Sequence, residues 1–292
     1  MKLASHSNRV LITGIDSFTG KYLQQYLERS GYVVFGTSRS NLDITDAAQV
    51  AACVEQIQPD YVIHLAGISF VGHPVVEDFY RVNVIGTENL LKALSQYAHN
   101  VSKVILASSA TVYGNQGLDV LDETLCPQAV NHYGVSKLAM ELMARTYFDK
   151  LPIVLVRPFN YVGLGQPEQF VIPKIVKHFR EQAASIELGN IQVEREFNSV
   201  YFAAQVYQRL LVSSVSGEVV NLCSGQGIAL MSVIEQMQQI AGYNIDVRIN
   251  PAFVRANELP RLVGSPQKLI SIIGSLPEND LSYVLKEMYA AS

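Results

Sequence analysis

The sequence predicts an α/β protein with a parallel, doubly wound sheet and a smaller second unit, and three observations carry that prediction. Short apolar runs rich in Val and Ile, at Val10-Leu11-Ile12, Val33-Val34-Phe35, Val62-Ile63 and Val104-Ile105-Leu106, alternate with stretches of helical spacing through the first half of the chain. The first run stops abruptly in a small-residue turn, Gly14 to Gly20, and resumes as a helix. From Asn160 onward the alternation becomes less regular. A chain of 292 residues accommodates one open sheet and a modest second core. The expected division is a parallel-sheet part over 1–157 and a smaller, mainly separate part over 158–292, with segments such as Val219-Val220-Asn221-Leu222 returning to the sheet.

Composition narrows the function class. Charged residues make up only 16% of the chain against 49% hydrophobic, which predicts surface buried in an assembly such as a homodimer. A net charge of −4, with no run of Lys or Arg, gives no footprint for nucleic acid or an anionic membrane. No stretch approaches a membrane span or a signal-peptide core, so a cytoplasmic location is expected. Cys53, Cys126 and Cys223 are scattered and odd in number, which argues against a disulfide framework or a metal site and for buried thiols.

The turn after the first strand is the first candidate site. Gly14 lets the chain turn sharply and Gly20 lets the helix pack close, so that unpaired N–H groups at the helix N-terminus face a pyrophosphate in the Rossmann manner. Where a further glycine is expected stands Ser17, which adds a Cβ and a hydroxyl; an ordinary strand-to-helix turn is the competing reading. The second strand ends at Ser38 and Arg39, beside the expected position of the adenosine ribose. A carboxylate there would bind a free 2′-hydroxyl, whereas these residues suit a 2′-phosphate, favouring NADP(H) over NAD; the alternative is a solvated loop arginine. Asp43 or Thr45 is expected to cap the next helix, with Asp46 in its first turn. His64 sits in an apolar run and reads as a satisfied core histidine, while the small residues after it let backbone approach a ligand. The helix from Tyr80 to Leu94 carries Asn83, whose burial requires a partner and predicts a tie to a neighbouring strand.

The fourth strand ends in Ser108-Ser109, at the carboxyl edge where open α/β sheets bind ligands, and Tyr133 opens a later helix with Lys137 one turn on. Bringing a tyrosine from its usual pKa to neutrality requires about 3 units, or about 4 kcal/mol. A cation about 4 Å away at an effective dielectric near 20 supplies roughly that much. Tyr133 could then exchange a proton with a carbonyl or alcohol oxygen that Ser109 holds.

These pieces, with His64-Leu65-Ala66, Gly86-Thr87, Val112-Tyr113-Gly114 and Arg157-Pro158-Phe159-Asn160, resemble the extended short-chain dehydrogenase/reductase superfamily in its nucleotide-sugar-modifying branch. The resemblance spans nearly the whole chain. It implies a catalytic Ser109, Tyr133 and Lys137. The cofactor would be held by Gly14, Ser17, Phe18, Gly20, Ser38, Arg39, Asp43, Ile44, Leu65, Ala66, Gly67 and Asn83, together with Tyr133 and Lys137. Leu188-Gly189-Asn190 and Arg255-Ala256-Asn257-Glu258-Leu259-Pro260 are similar to the reductases that convert GDP-4-keto-6-deoxy-D-mannose to GDP-D-rhamnose. That similarity implies substrate contacts from Asn160, Arg195, Arg255 and Glu258; for each a surface ion pair or cap is the alternative, above all for Arg255 and Glu258, three apart in an expected turn. The chain departs from its relatives at Ser17, at Leu164 where proline is usual, and at Ser199 and Phe202 where aspartates help tie the two parts together, which points to a diverged substrate or reduced activity. After Ser109 come Ala110 and Thr111, not the acids of sugar 4,6-dehydratases or the cysteine of 3,5-epimerase-reductases. Simple reduction at one carbon is therefore expected, most simply of a GDP-linked 4-keto-6-deoxyhexose by NADPH. A nucleotide-sugar 4-epimerase and a catalytically diminished NADP(H)-binding protein are the alternatives.

Overall fold

A computed structural model describes residues 8–254 and 259–291. The chain lays down β1 (Arg9–Thr13), α1 (Phe18–Arg29), β2 (Val33–Thr37), α2 (Ala47–Ile57), β3 (Tyr61–His64) and α3 (Val76–Tyr80). A π-helical stretch (Arg81–Gly86) leads into α4 (Thr87–Tyr97), then β4 (Lys103–Ala107), α5 (His132–Arg145) and β5 (Ile153–Pro158). Beyond it lie β6 (Tyr161–Val162), α6 (Val171–Arg180), β7 (Ser185–Leu188), β8 (Glu194–Arg195), β9 (Asn198–Ser199) and α7 (Val200–Leu211). β10 (Glu218–Leu222), β11 (Ile228–Ala229), α8 (Leu230–Ala241), β12 (Asp246–Ile249), β13 (Arg261–Leu262), α9 (Gln267–Ile273) and α10 (Leu281–Ala290) complete it. Six strands form one sheet in the order β10-β5-β4-β3-β1-β2, every pair parallel. This is the predicted doubly wound architecture, and β10 pairs with β5 at one edge of the sheet.

Strand alternation explains the two helical layers, because successive side chains leave opposite faces of a sheet. Val10 and Ile12, Val154 and Val156, and Val220 and Leu222 pack under α1 and α7 with Leu23, Leu27, Phe202 and Leu210. Their neighbours Leu11, Ile153, Leu155 and Val219 face the other way, against Val50 and Val54 of α2, Leu90 and Leu94 of α4 and Met140 of α5. A separate core gathers Ile172, Ile175 and Phe179 of α6, Val233, Ile234 and Met237 of α8 and Val284, Leu285 and Met288 of α10.

Local chemistry sets several boundaries differently from the sequence expectation. Asp46, not Asp43 or Thr45, caps α2, its carboxylate accepting from Ala48 N at 2.9 Å and Gln49 N at 3.1 Å. Asp43 is instead occupied by its own turn, accepting from the backbone and hydroxyl of Thr45 at 2.9 and 2.8 Å. The helix expected over 80–94 contains the π turn, which widens it where Asn83 and Gly86 interrupt the apolar spacing. Only Cys223 is a buried thiol; Cys53 is half-buried and Cys126 exposed. Cys126 lies in a segment without regular structure.

The two positions where acids are usual are filled by other chemistry. Ser199 caps α7, its hydroxyl accepting from Tyr201 N at 3.1 Å, and its own N–H donates to Asn279 Oδ1 at 2.7 Å. Phe202 is fully buried under the sheet. Nearby, fully buried Glu196 accepts from Gly264 N, Ser224 N and Asn198 Nδ2 at 2.7, 2.7 and 2.8 Å, so that one carboxylate binds three chain segments. Burial raises its pKa, and those hydrogen bonds oppose the rise.

The most consequential buried group is Glu141 on α5. Arg157 of β5 donates to it twice, at 2.9 and 2.7 Å, and the Ser108 hydroxyl at the end of β4 donates at 2.5 Å. Both charged residues are almost wholly buried, at 1% and 2% exposure. Removing one partner from such a pair leaves the other charge unpaired inside the protein, at a cost of about 3–5 kcal/mol. Glu141→Ala should therefore lower the unfolding free energy by about that amount in urea denaturation, and a loss below about 1 kcal/mol would contradict this account.

Candidate active site

The carboxyl ends of β1, β2 and β3 open into a cleft of about 600 Å³ lined by Gly14, Ser17, Ser38, Arg39, Asp43, Ile44, Leu65, Ala66 and Gly67 among others. Gly14 has φ of +76°, and a Cβ there would stand 2.8 Å from Ala66 N, so the loop can meet the end of β3 only as glycine. A Cβ at Gly20 would stand 2.5 Å from the carbonyls of Gly14 and Ile15, so the close packing expected of this residue is against the loop itself. Ser17 replaces a glycine for an evident reason: it is the N-cap of α1, its hydroxyl accepting from Gly20 N at 3.0 Å. The N–H groups of Phe18 and Thr19 make no backbone hydrogen bond among the described residues, leaving donors for an anion at the helix N-terminus. The chemistry of this wall fits the diphosphate of a dinucleotide.

Of the expected cofactor residues, Phe18, Gly20, Asn83, Tyr133 and Lys137 do not line this cleft. Phe18 does not line it but stacks on Tyr161, with ring centroids 6.2 Å apart. Asn83 is fully buried: Oδ1 accepts from Ile68 N at 2.8 Å, and Nδ2 donates to Ile68 O at 3.2 Å and to Ser136 Oγ at 3.0 Å. It thus ties the π turn to the loop after β3 and to α5, not to a strand. His64 is the core histidine expected, between Thr13 Oγ1 at 2.6 Å and Thr87 Oγ1 at 2.9 Å, and burial, aided by the Lys137 charge, pushes its pKa down to about 3.

At the β4 edge the structure brings Ser109, Tyr133 and Lys137 together, all buried. Asn131 caps α5 by accepting from Gly134 N at 2.8 Å, which places Tyr133 in the first turn and Lys137 one turn later. Lys137 Nζ donates to Ala107 O at 2.8 Å, and a Cβ on Gly67 would come within 3.2 Å of that nitrogen. Thr111 donates through its hydroxyl to Ser109 Oγ at 2.9 Å, so the Ser109 hydroxyl hydrogen is directed elsewhere, to the Tyr133 phenol.

The electrostatics correct one expectation. Lys137 does not draw the Tyr133 phenol toward neutrality here: burial pushes the phenol above its ordinary value, with a hydrogen bond from Ser109 opposing. Burial also brings Lys137 down to about 8, with the Glu141 carboxylate one turn away resisting the fall. At neutral pH the phenol is protonated and the lysine largely charged. That state suits a proton donor, with the ammonium placed to stabilise the phenolate left behind.

The expected substrate residues divide. Asn160 is exposed at the end of β5, and its carbonyl accepts from Asn198 N at 3.0 Å. Arg195 directs its guanidinium to backbone carbonyls, with Nη1 donating to Glu194 O at 2.9 Å and Pro260 O at 3.2 Å and Nη2 to Leu259 O. Arg255 and Glu258 lie outside the described residues. Sequence reasoning missed several cleft residues, among them Asp16, Thr37, Ser40, His73, Asp78 and Arg81. Asp16 and Thr37 adjoin residues already singled out, so proximity in sequence was a usable signal. Arg81 had none, because its direction depends on a π turn that a 3.6-residue period does not register.

The sequence profile of the NAD dependent epimerase/dehydratase family matches residues 10–223. Over 290 residues the chain is 36% identical to a GDP-6-deoxy-D-talose 4-dehydrogenase of Aggregatibacter actinomycetemcomitans, covering 96% of this chain and 97% of that one. It is 32% identical over 294 residues to a GDP-6-deoxy-D-mannose reductase of Pseudomonas aeruginosa, covering 96% and 95%. Among solved structures, RMD from Pseudomonas aeruginosa complexed with NADPH superposes with a TM-score of 0.88 at 29% identity, over 97% of this chain and 96% of that one. With its parallel sheet, its glycine turn at the end of β1 and its buried Ser109, Tyr133 and Lys137, the chain belongs to the NAD dependent epimerase/dehydratase family, within the extended short-chain dehydrogenase/reductases.

Proposed function

We propose that this enzyme reduces the C4 ketone of a nucleotide-linked 4-keto-6-deoxyhexose with NADPH, and that its substrate is GDP-4-keto-6-deoxy-D-mannose. The observation that carries the reading is the protonated, buried Tyr133 beside Ser109, followed by Ala110 and Thr111. Neither Ala110 nor Thr111 can abstract a carbon-bound proton, so this edge offers acid chemistry at one oxygen and nothing for dehydration or 3,5-epimerisation. The names of the two relatives support it: both are GDP-6-deoxyhexose oxidoreductases, and the mannose and talose configurations differ only at C4.

A nicotinamide cofactor held in the cleft would supply the hydride. Ser109 would donate a hydrogen bond to the ketone oxygen, keeping its own proton, and so hold that oxygen beside Tyr133, while Thr111 donates to the serine Oγ. Tyr133 then gives its proton to the same oxygen, and the Lys137 ammonium, anchored on Ala107 O, stabilises the phenolate until solvent restores it. Arg39 and Ser38 would select NADPH by charge-assisted contacts to its 2′-phosphate. Residues 158–292 would supply most of the sugar-nucleotide site, with Asn160 and Arg195 at its inner edge. Exposed Val135 and Leu142, two turns apart on α5, support a homodimer through that helix. The expected product is GDP-D-rhamnose; the 36% identity to a talose 4-dehydrogenase favours GDP-6-deoxy-D-talose as the second reading, formed by hydride addition to the opposite face of the ketone.

Two measurements test the site. Arg39→Ala should erode the preference for NADPH over NADH by about 1.5–3 kcal/mol, read from binding of the two cofactors; equal wild-type affinity for both would refute the cofactor assignment. Tyr133→Phe should abolish nearly all turnover of GDP-4-keto-6-deoxy-D-mannose while NADPH binding stays close to wild type, and NMR of the wild-type product would give its C4 configuration. Retention of most of the rate would remove Tyr133 from the mechanism.

A further inference from the structure

Arg81 opens the π-helical stretch, and the wide turn separates the directions of its residues: Asn83 is buried against the loop after β3, while Arg81 and Val82 line the cleft. Arg81 shares that cavity with Ser38, Arg39, Ser40 and Asp43 at the end of β2. Its charge reaches the Asp43 carboxylate, as does that of Arg39, and the effect of Arg81 is the larger. Asp43 Oδ1 is already taken by Thr45, and neither guanidinium has a hydrogen bond or close ion pair among the described residues. Two cations from different elements are thus available at one end of the cleft. In the same loop the Ser38 and Ser40 hydroxyls stand 2.7 Å apart, beside Arg39.

We propose that Arg81 is a second cation for the 2′-phosphate of NADPH, a specificity-determining residue contributed by the π turn in addition to Arg39 at the end of β2. The inference rests on the NADPH reading above. Charge balance is what requires it. A phosphomonoester carries about −1.5 to −2 at neutral pH, and Asp43 adds another negative charge at the same place. Arg39 alone leaves an excess of about −1.5 to −2 there, whereas both arginines reduce it to about −0.5 to −1. A second guanidinium at this end of the cleft offsets the repulsion between a 2′-phosphate and the exposed Asp43 carboxylate. A cofactor without that phosphate gains nothing from Arg81, because the two arginines then repel each other beside one carboxylate.

Binding of 2′,5′-ADP and 5′-ADP, measured by calorimetry on wild type, Arg81→Ala, Arg39→Ala and the double variant, tests this. Arg81→Ala should weaken 2′,5′-ADP about tenfold, the size of one lost charge-assisted hydrogen bond, and leave 5′-ADP within about twofold. Arg81→Lys should recover part of the loss, and the melting temperature of the ligand-free variants should match wild type. A wild type that binds both nucleotides equally would overturn the NADPH reading and this inference with it. A wild type that prefers 2′,5′-ADP combined with an Arg81→Ala variant that keeps the full preference would overturn the inference alone. So would an equal loss for both nucleotides, which would assign Arg81 to the adenosine 5′-phosphate that they share or to the fold.

Discussion

Glu141 sits one turn beyond Lys137 and receives Arg157 from β5 and Ser108 from the end of β4, so a single buried carboxylate holds α5 against the sheet edge where the chemistry is placed. Ser109 is the next residue after Ser108, and Tyr133 lies two turns before Glu141 on the same helix. Fixing Glu141 therefore fixes the separation of the serine hydroxyl and the phenol. The same carboxylate helps to keep Lys137 charged against its burial. A polar cluster this deep in the protein costs desolvation, and its use here is positional: an apolar contact could hold α5 on the sheet but could not set the direction of both partners.

Around that anchor, close approaches define the cofactor side. Gly14 meets Ala66, Gly67 meets Asn83 and Lys137, and Asn83 in turn holds Ile68 and Ser136. The loop after β1, the loop after β3, the π turn and α5 therefore share one set of contacts. A change at Asn83 would act on both the cleft and the lysine without touching a ligand.

Much of this was legible in the sequence because it rests on short-range chemistry. The strand runs, the Gly14-to-Gly20 turn, the core role of His64 and the i,i+4 placement of Tyr133 and Lys137 follow from spacing and residue type. What was not legible depends on competition between neighbours. Asp43, Thr45 and Asp46 all suit a cap, and only the folded turn shows that Asp43 is engaged by Thr45 and Asp46 does the capping. Ser17 looked like a damaged phosphate loop and is an N-cap. The direction of the Tyr133 shift is not legible from spacing to a lysine, since burial of the phenol raises its pKa and the lysine is held by the Ala107 carbonyl. Phe18 is in the motif but faces Tyr161, and Arg81 lies outside any motif but faces the cleft.

The central claim is reduction at a single carbon, with Tyr133 as the acid and no proton taken from carbon. It is tested most directly by turning over GDP-4-keto-6-deoxy-D-mannose with NADPH deuterated at both C4 positions of the nicotinamide, and in parallel with ordinary NADPH in deuterated water. The account predicts one deuterium at sugar C4 from the labelled cofactor, none bound to carbon from the solvent, and one NADPH oxidised per product. Solvent deuterium at C3 or C5, or product formed without net oxidation of NADPH, would contradict it.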